Sequence, residues 1–451
     1  MQDKTIRIKR GLDIRVKGEA AQHTADATHI ARYAVQPTDY VAVTPKMLVK
    51  EGDVVRAGAP LFFDKNNDRA LFTSPVGGTV QAVVRGEKRA VLRVVVARDE
   101  RDEHESFGAG DPIALGSERV RDILLRSGAW NALRQRPFGI VARPDDQPKA
   151  IFVSAFDSAP LAPDYAYLLP PEHRQELETG LEALHLLCPV LHWSVDPARQ
   201  PVLPPQKDYI RVHRFTGKHP AGLVGTQINK IDPLNKGEIV WTIKPQDILT
   251  MGRLFLTGEY RPMRLVAMAG PVVRQPQYYR MTTGACVADM AGNVTDEHVR
   301  YISGDMLTGT DIGREGFMGA TDSLLTVLPE GDQYDFMGWL LPGLRKYSFS
   351  HTFLSGFVKC RKYLEGCTLN TGMHGSVRPY VVADQFEKVC PLDILPMQLI
   401  KACLANDIDL MEQLGIYEVE PEDMALCEFI DTSKTEIQDI LRRGLEACRL
   451  G

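Results

Sequence analysis

His219 is the titratable residue in the most strongly shaped stretch of this chain, Lys218-His219-Pro220-Ala221-Gly222-Leu223-Val224-Gly225-Thr226. Pro220 fixes its own φ and biases His219 towards an extended backbone. Gly222 and Gly225 offer close approach to the main chain, so the segment reads as a structural loop beside a pocket or a packed neighbour. A glycine-bearing turn before the strand-like Ile239-Val240-Trp241-Thr242-Ile243 is the plainer alternative. Elsewhere the chemistry is sparse. The eleven histidines include no His-Glu-x-x-His or similar helical pair, and no catalytic metal ligand set emerges. His173 and His185 share one predicted helix as surface and core residues, and His351 and His374 fall in loops without paired ligands. Glu51 and Asp53 are turn residues. With no Gly-x-Ser-x-Gly elbow and no nucleophile–base constellation, no catalytic residue is assigned.

The elements that position these residues are read from periodicity. Val41-Ala42-Val43-Thr44, Glu51 to Leu61, Ser74 to Val80 and Val91 to Val96 form a series of short strands and turns. Val-x-Glu-Gly-Asp-x-Val followed by Ser-Pro-x-x-Gly-x-Val is similar to the barrel-sandwich fold of biotinyl and lipoyl carriers. Lys65 lies at the wrong spacing from Pro75 for a carrier hairpin, so the sandwich is expected to be unmodified. Ser117 to Leu133 reads as a helix capped by Ser117 and stopped by Pro137. The strand Ala150 to Ala155, the helix Glu172 to Leu187 and the strand Tyr209 to Val212 give strand-helix-strand order, an α/β layer with parallel pairing. An open sheet of that kind puts a ligand at the loop Phe156 to Pro163. No G-x-G-x-x-G or Walker sequence follows either strand, so the layer is Rossmann-like without a nucleotide motif. Gly313, Gly316 and Gly319 read as a flexible loop. Strands at Leu265 to Val273 and Arg300 to Gly304 flank a short helix from Gly284. From Pro391 the pattern turns helical: Gln398 to Ala405, Asp409 to Leu414, Glu420 to Cys427, and Thr435 to Ala447. The expected domains are 1–105, a barrel-sandwich; 106–260, Rossmann-like α/β; 261–330, a smaller module; and 331–451, ending in a helical domain. The fold class is multidomain α/β and α+β.

At 451 residues, with 44% hydrophobic and 25% charged residues, the composition is that of an ordinary soluble protein. A formal net charge of −5 gives no electrostatic reason to expect nucleic acid. No run approaches the ~18 apolar residues of a transmembrane helix, and the start lacks the apolar region of a secretory signal. A cytoplasmic chain is expected, held at any membrane by partners. Eight cysteines are too few for a disulfide scaffold. Cys360, Cys367, Cys390, Cys403 and Cys427 fall late in the chain, but no C-x-x-C occurs, so buried small hydrophobes are favoured over an iron–sulfur cluster. Trp130, Trp193, Trp241 and Trp339 suit an interface or a core equally.

Three ordered patterns carry a resemblance. They are Ile6-Arg7-Ile8-Lys9-Arg10-Gly11-Leu12-Asp13; HPAGLVGT (His219 to Thr226) with Ile231-Asp232-Pro233-Leu234; and a tail of Glu387-Lys388-Val389, Pro391-Leu392-Asp393-Ile394 and Glu422-Asp423-Met424-Ala425-Leu426-Cys427. Together they resemble the NqrA family, one of the subunit families of the bacterial sodium-pumping NADH:quinone reductases, over almost the whole chain. That family is similar in layout to the FMN- and NADH-binding subunit of respiratory complex I without its nucleotide-binding residues, and to the RnfC component of the Rnf complex without its cluster cysteines. The resemblance implies a β-grasp (SLBB-like) module at 261–330. It also implies a cofactor-free peripheral subunit on the cytoplasmic face of the bacterial inner membrane, within a translocase that couples NADH oxidation and quinone reduction to Na+ export. Flavins, the iron–sulfur centre and the sodium path are then expected in partner subunits, with the membrane subunit NqrB the chief contact, and the isolated chain is not expected to be catalytic. Ubiquinone or menaquinone is the implied ligand. A quinone headgroup is flat and apolar with two carbonyl acceptors, and needs an apolar cleft with aromatic stacking and one or two donors. Arg136 and Phe138, in Arg136-Pro137-Phe138-Gly139, fit that need, Tyr40 lies in a segment the family places near quinone, and His219 is a third donor. The alternatives are core packing for Phe138, a solvated charge for Arg136 and a loop-bracing hydrogen bond for His219. For the chain as a whole they are a pure assembly scaffold, or an electron-transfer subunit with its own flavin or cluster.

Overall fold

Ile151–Ser154 is a short strand, buried except at its last residue, and it lies in the middle of a seven-stranded sheet. The computed structural model describes residues 5–332, 336–338, 340–343, 346–351, 353–356, 368–381 and 384–451. Cys360, Cys367 and Trp339 lie outside the described residues. From Ile151–Ser154 the chain passes through the helix Arg174–His185 to a parallel neighbour, Leu191–Val195, and on to Ile210–Gly217, also parallel. It then reverses through the helix Val224–Ile231 and returns on the other side of the first strand as Val240–Thr242, again parallel. Arg134–Arg136 and Ile140–Val141 add an antiparallel edge, and Ile6–Ile8 closes the opposite edge in parallel. This is the expected α/β layer, with the point where strand order reverses falling between Ile151–Ser154 and Val240–Thr242.

The helices Arg174–His185 and Pro245–Thr257 pack against each other, and two glycines set how closely. A Cβ at Gly252 would lie 1.8 Å from the Glu176 carbonyl oxygen, and one at Gly180 would lie 2.2 Å from that of Ile248. Only glycine permits that approach. The core here includes Trp130, Trp193 and Trp241, all fully buried, which resolves those three tryptophans as packing residues.

The N-terminal β region holds a four-stranded and a three-stranded sheet, with Phe62 stacked on Phe72 at 4.7 Å between centroids. Two expectations change here. Val41 to Thr44 is not a strand: Val41 makes only an isolated bridge to Ile140, Ala42 has φ +60°, and the strand begins at Pro45. Ser117 does not cap its helix, which starts after Gly116 and ends at Gly128 in the left-handed region, with a short 3-10 turn over Ala129–Ala132. Lys65 is an exposed turn residue between the strands Pro60–Asp64 and Asn67–Thr73.

A six-stranded mixed sheet runs Thr310–Asp311, Val299–Ser303, Leu324–Pro329, Met263–Ala269, Gln277–Thr282 and Ala21–Asp26. Its last strand comes from the N-terminal region, as does the edge strand Ile6–Ile8 of the α/β sheet, so the chain laces its first residues into both later units. The glycine run is not loose: Met318 donates to the Ala285 carbonyl at 3.0 Å, and Phe317 and Met318 are buried. The helices Pro396–Ala405, Ile408–Gln413, Ala425–Ile430 and Ile437–Leu450 pack around Leu399, Ile400, Met411, Leu441 and Leu445. Among the described residues, no helix is long and apolar enough to cross a membrane.

Candidate functional site

A cleft of about 470 Å³ opens at the carboxyl ends of Ile151–Ser154 and Val240–Thr242, at the reversal of strand order. That is where open α/β sheets take ligands. Its floor is Ser154, Phe156, Asp157, Thr242, Ile243 and Lys244. One wall is the sheet's own antiparallel edge, Arg134 and Arg136, and the rest come from the other units: Asp39 and Val41 from the N-terminal region, Asp305 and Thr308 from the six-stranded sheet, and Glu420, Glu422, Gln438 and Arg442 from the helical region. A polar chamber of about 330 Å³, rich in Thr and Gly, adjoins it and shares Asp39, Asp157, Tyr165 and Lys244.

The three patterns that carry the family resemblance meet beside this cleft. The His219 backbone N–H donates to Asp13 at 2.9 Å, and its carbonyl accepts from Leu12 at 2.9 Å. Gly222 packs so closely on the Phe156 to Pro163 loop that a Cβ would lie 2.5 Å from the Ser158 nitrogen. Gly225 is not in the loop: it is the second residue of the helix Val224–Ile231. A Cβ there would lie 2.2 Å from Asp423 Oδ1, so the carboxylate of the tail pattern rests against the start of this helix. Helix N-termini attract negative charge, and this is the kind of position a nucleotide phosphate occupies in other open α/β sheets.

Only one of the four quinone candidates, Arg136, reaches the cleft wall. It is buried, not solvated, and its guanidinium is bound to Asp423 at 2.8 Å and to Glu422. Tyr40 lies one layer back against a smaller cavity, its ring 4.8 Å from Phe72, with the Arg134 guanidinium 4.5 Å above it. Phe138 packs edge-on against Tyr417 at 5.8 Å, and its carbonyl accepts from Arg442 at 2.7 Å. His219 is buried behind the cleft. Its Nδ1 meets Ser158 Oγ at 3.1 Å, the bracing contact, while Nε2 has no hydrogen-bond partner among the described residues. Pro220 follows it through a cis bond. Burial holds the His219 pKa down against the pull of Asp157, Asp305 and Asp13.

The electrostatics of the lining are dominated by carboxylates. Asp39, Asp157, Asp247, Asp305, Glu420 and Glu422 face Arg134, Arg136, Lys244 and Arg442. Burial, reinforced by Asp322, pushes Asp39 up to about 7 despite the Ala320 N–H that it accepts at 2.9 Å. Burial pushes Glu420 up to about 7 as well, against the pull of Arg136 and Arg442. Asp247 is raised by burial although it is paired with Arg264, and Asp305 is raised by burial. Lys244 Nζ is held by the Thr321 carbonyl at 3.0 Å. Tyr165 lines both chambers with no hydrogen bond from its hydroxyl among the described residues. Sequence reasoning misses Tyr165, Lys244 and Glu420. The available signals are Asp164, which caps the turn bearing Tyr165 by accepting from the Ala166 N–H, and the acidic run Glu420-Pro421-Glu422-Asp423 ahead of a helix.

Comparisons with known proteins agree along the chain. The NqrA N-terminal barrel-sandwich hybrid domain matches residues 6–99, the NqrA second alpha/beta domain matches 115–260, and the NQRA C-terminal domain of SLBB type matches 265–313. The NqrA subunit of the Na(+)-translocating NADH-quinone reductase of Yersinia pseudotuberculosis is 38% identical over 441 residues, covering 97% of this chain and 98% of the relative. That of Haemophilus influenzae is 37% identical over 447 residues, and that of Pasteurella multocida 38% over 446, each covering 98% of both chains. A chain of an NAD+-reducing [NiFe]-hydrogenase aligns over 51% of this chain and 52% of its own, at a TM-score of 0.30 and 12% identity, a likeness too slight to define a shared fold. With more than a third of its residues shared end to end with such relatives, the chain belongs to the NqrA family of Na+-translocating NADH-quinone reductase subunits.

Proposed function

We propose that this subunit takes the headgroup of ubiquinone or menaquinone in the cleft at the strand-order reversal. In this reading it carries no cofactor of its own and is held at the cytoplasmic face of the bacterial inner membrane by partner subunits, chiefly the membrane subunit NqrB. The flavins, the iron–sulfur centre and the sodium path belong to those partners. The observation that carries the reading is the placement of Asp423 against Gly225 at the start of the helix Val224–Ile231. In a cleft already lined by six carboxylates, a dinucleotide's phosphates meet like charge, whereas a neutral dicarbonyl does not. Phe156 and Ile243 supply apolar surface, and Tyr165, Arg134 and Arg442 supply donors. Arg136 serves as wall, Tyr40 backs Arg134, and Phe138 and His219 hold the surrounding loops.

Calorimetric titration of the purified chain with a short-chain ubiquinone tests this. Saturable binding is expected, and Thr242→Trp, which fills the cleft floor, should weaken it at least about tenfold. Arg136→Ala and Phe138→Ala address the two candidates of the Arg136 to Gly139 turn. If both bind as well as the parent, neither contributes to the site. A scaffold role is favoured by one observation: Arg136, Phe138 and His219 are each already engaged in contacts that hold the fold. Absence of any saturable binding would overturn the quinone reading and favour that second one.

A further inference from the structure

We propose that Glu420, as a protonated acid, donates a hydrogen bond from its carboxyl group to the carbonyl oxygen of the quinone in the cleft. This rests on the quinone reading above. Glu420 lines the cleft yet is only 5% exposed. One carboxyl oxygen, Oε2, accepts from Arg442 Nη2 at 2.8 Å. The other, Oε1, is buried and has no hydrogen-bond partner among the described residues. A buried polar atom left unpaired is costly, so a ligand that completes it gains what the free protein lacks. The backbone is shaped around this carboxyl: a Cβ at Gly139 would lie 2.8 Å from Oε2, so the Arg136 to Gly139 turn approaches it through glycine.

A quinone carbonyl only accepts, and a hydroquinone hydroxyl also donates. Glu420 serves the first as a protonated acid and the second as a carboxylate. Its surroundings keep both forms accessible. Arg136 on the antiparallel edge and Arg442 on the last helix favour the carboxylate, while burial, Glu422 and Asp423 oppose it, leaving the group at about 7. Four other raised carboxylates face the same cleft: Asp39, Asp247 paired with Arg264, Asp305, and Glu422, which is paired with Arg136. Of these, only Glu422 lies on Glu420's own wall.

The test is quinone affinity against pH for the purified chain, with a short-chain ubiquinone as probe. Only the protonated acid can donate to the carbonyl, so the dissociation constant of the parent should rise about tenfold between about pH 6 and about pH 8. Glu420→Gln, whose amide donates at every pH, should bind with no such slope, while Asp39→Asn and Asp247→Asn keep it. Persistence of the slope in Glu420→Gln, or its loss in Asp39→Asn or Asp247→Asn, overturns the assignment. Should Glu420→Gln fail to fold, calorimetry of the parent and both Asn variants in two buffers of different ionisation enthalpy decides. Near pH 8 all three should take up close to one proton per bound quinone, and absence of uptake, or its loss in either variant, overturns the proposal. Absence of saturable binding at any pH overturns the quinone reading itself, a different failure from binding that is merely indifferent to pH.

Discussion

Arg136 Nη1 donates to Asp423 Oδ2 at 2.8 Å across 287 positions of sequence, and neither side chain is more than 5% exposed. The pair ties the antiparallel edge of the α/β sheet to the helical region. The same carboxylate accepts from the Glu420 backbone N–H at 3.0 Å and lies against Gly225. One buried ion pair therefore fixes the far wall of the cleft relative to its floor.

Removing one partner of a buried pair strands the other charge, a loss of about 3–5 kcal/mol. Arg136→Met should cost that much in urea unfolding, and pairing it with Asp423→Leu, which removes both charges, should recover a large part. A single-variant loss below about 1 kcal/mol would show that the pair does not hold the two regions together.

Gly252→Ala drives a methyl to 1.8 Å from the Glu176 carbonyl, and the helices Arg174–His185 and Pro245–Thr257 must separate to admit it. The expected cost is about 1–3 kcal/mol or more, read as a fall in Tm. Gly292→Ala meets nothing within 4 Å and is the control, expected within about 0.5 kcal/mol of the parent. Equal effects of the two would mean that the helix crossing is not set by Gly252.

The fold and its lineage are far more legible in the sequence than the site. Alternating apolar strands and the three family patterns point to the barrel-sandwich, the α/β layer and the helical tail, because each is a local property of consecutive residues. Arg136 is recognisable as a donor, but its partners Glu422 and Asp423 lie at the other end of the chain, and no local periodicity brings them together. Val41 to Thr44 has the alternation of a strand, and the positive φ of Ala42 is a tertiary override of that pattern. Glu420 reads only as the first residue of a helical stretch, Glu420 to Cys427, until the burial that raises its pKa is known.

Stability at acid pH should report Glu176. Burial pushes its carboxyl up, but hydrogen bonds from His173 and Arg253 outweigh this and hold it at about 2, below its ordinary value of 4.5. A depressed carboxylate stabilises the fold above its unfolded pKa, and that contribution drains away as pH falls from about 4.5 to about 2. The parent should therefore lose on the order of 2 kcal/mol relative to Glu176→Gln across that window in urea unfolding. Parallel curves for the two proteins would exclude such a contribution.

Photoaffinity labelling with an azido-substituted short-chain quinone, followed by peptide mapping, tests the cleft as the quinone site most directly. Adducts are expected on peptides carrying Phe156, Tyr165, Ile243 and the Glu420 to Asp423 turn, competed by unlabelled quinone and lost in Thr242→Trp. Labelling confined to other surfaces, or indifferent to competitor, would contradict a quinone bound between the Ile151–Ser154 and Val240–Thr242 strands.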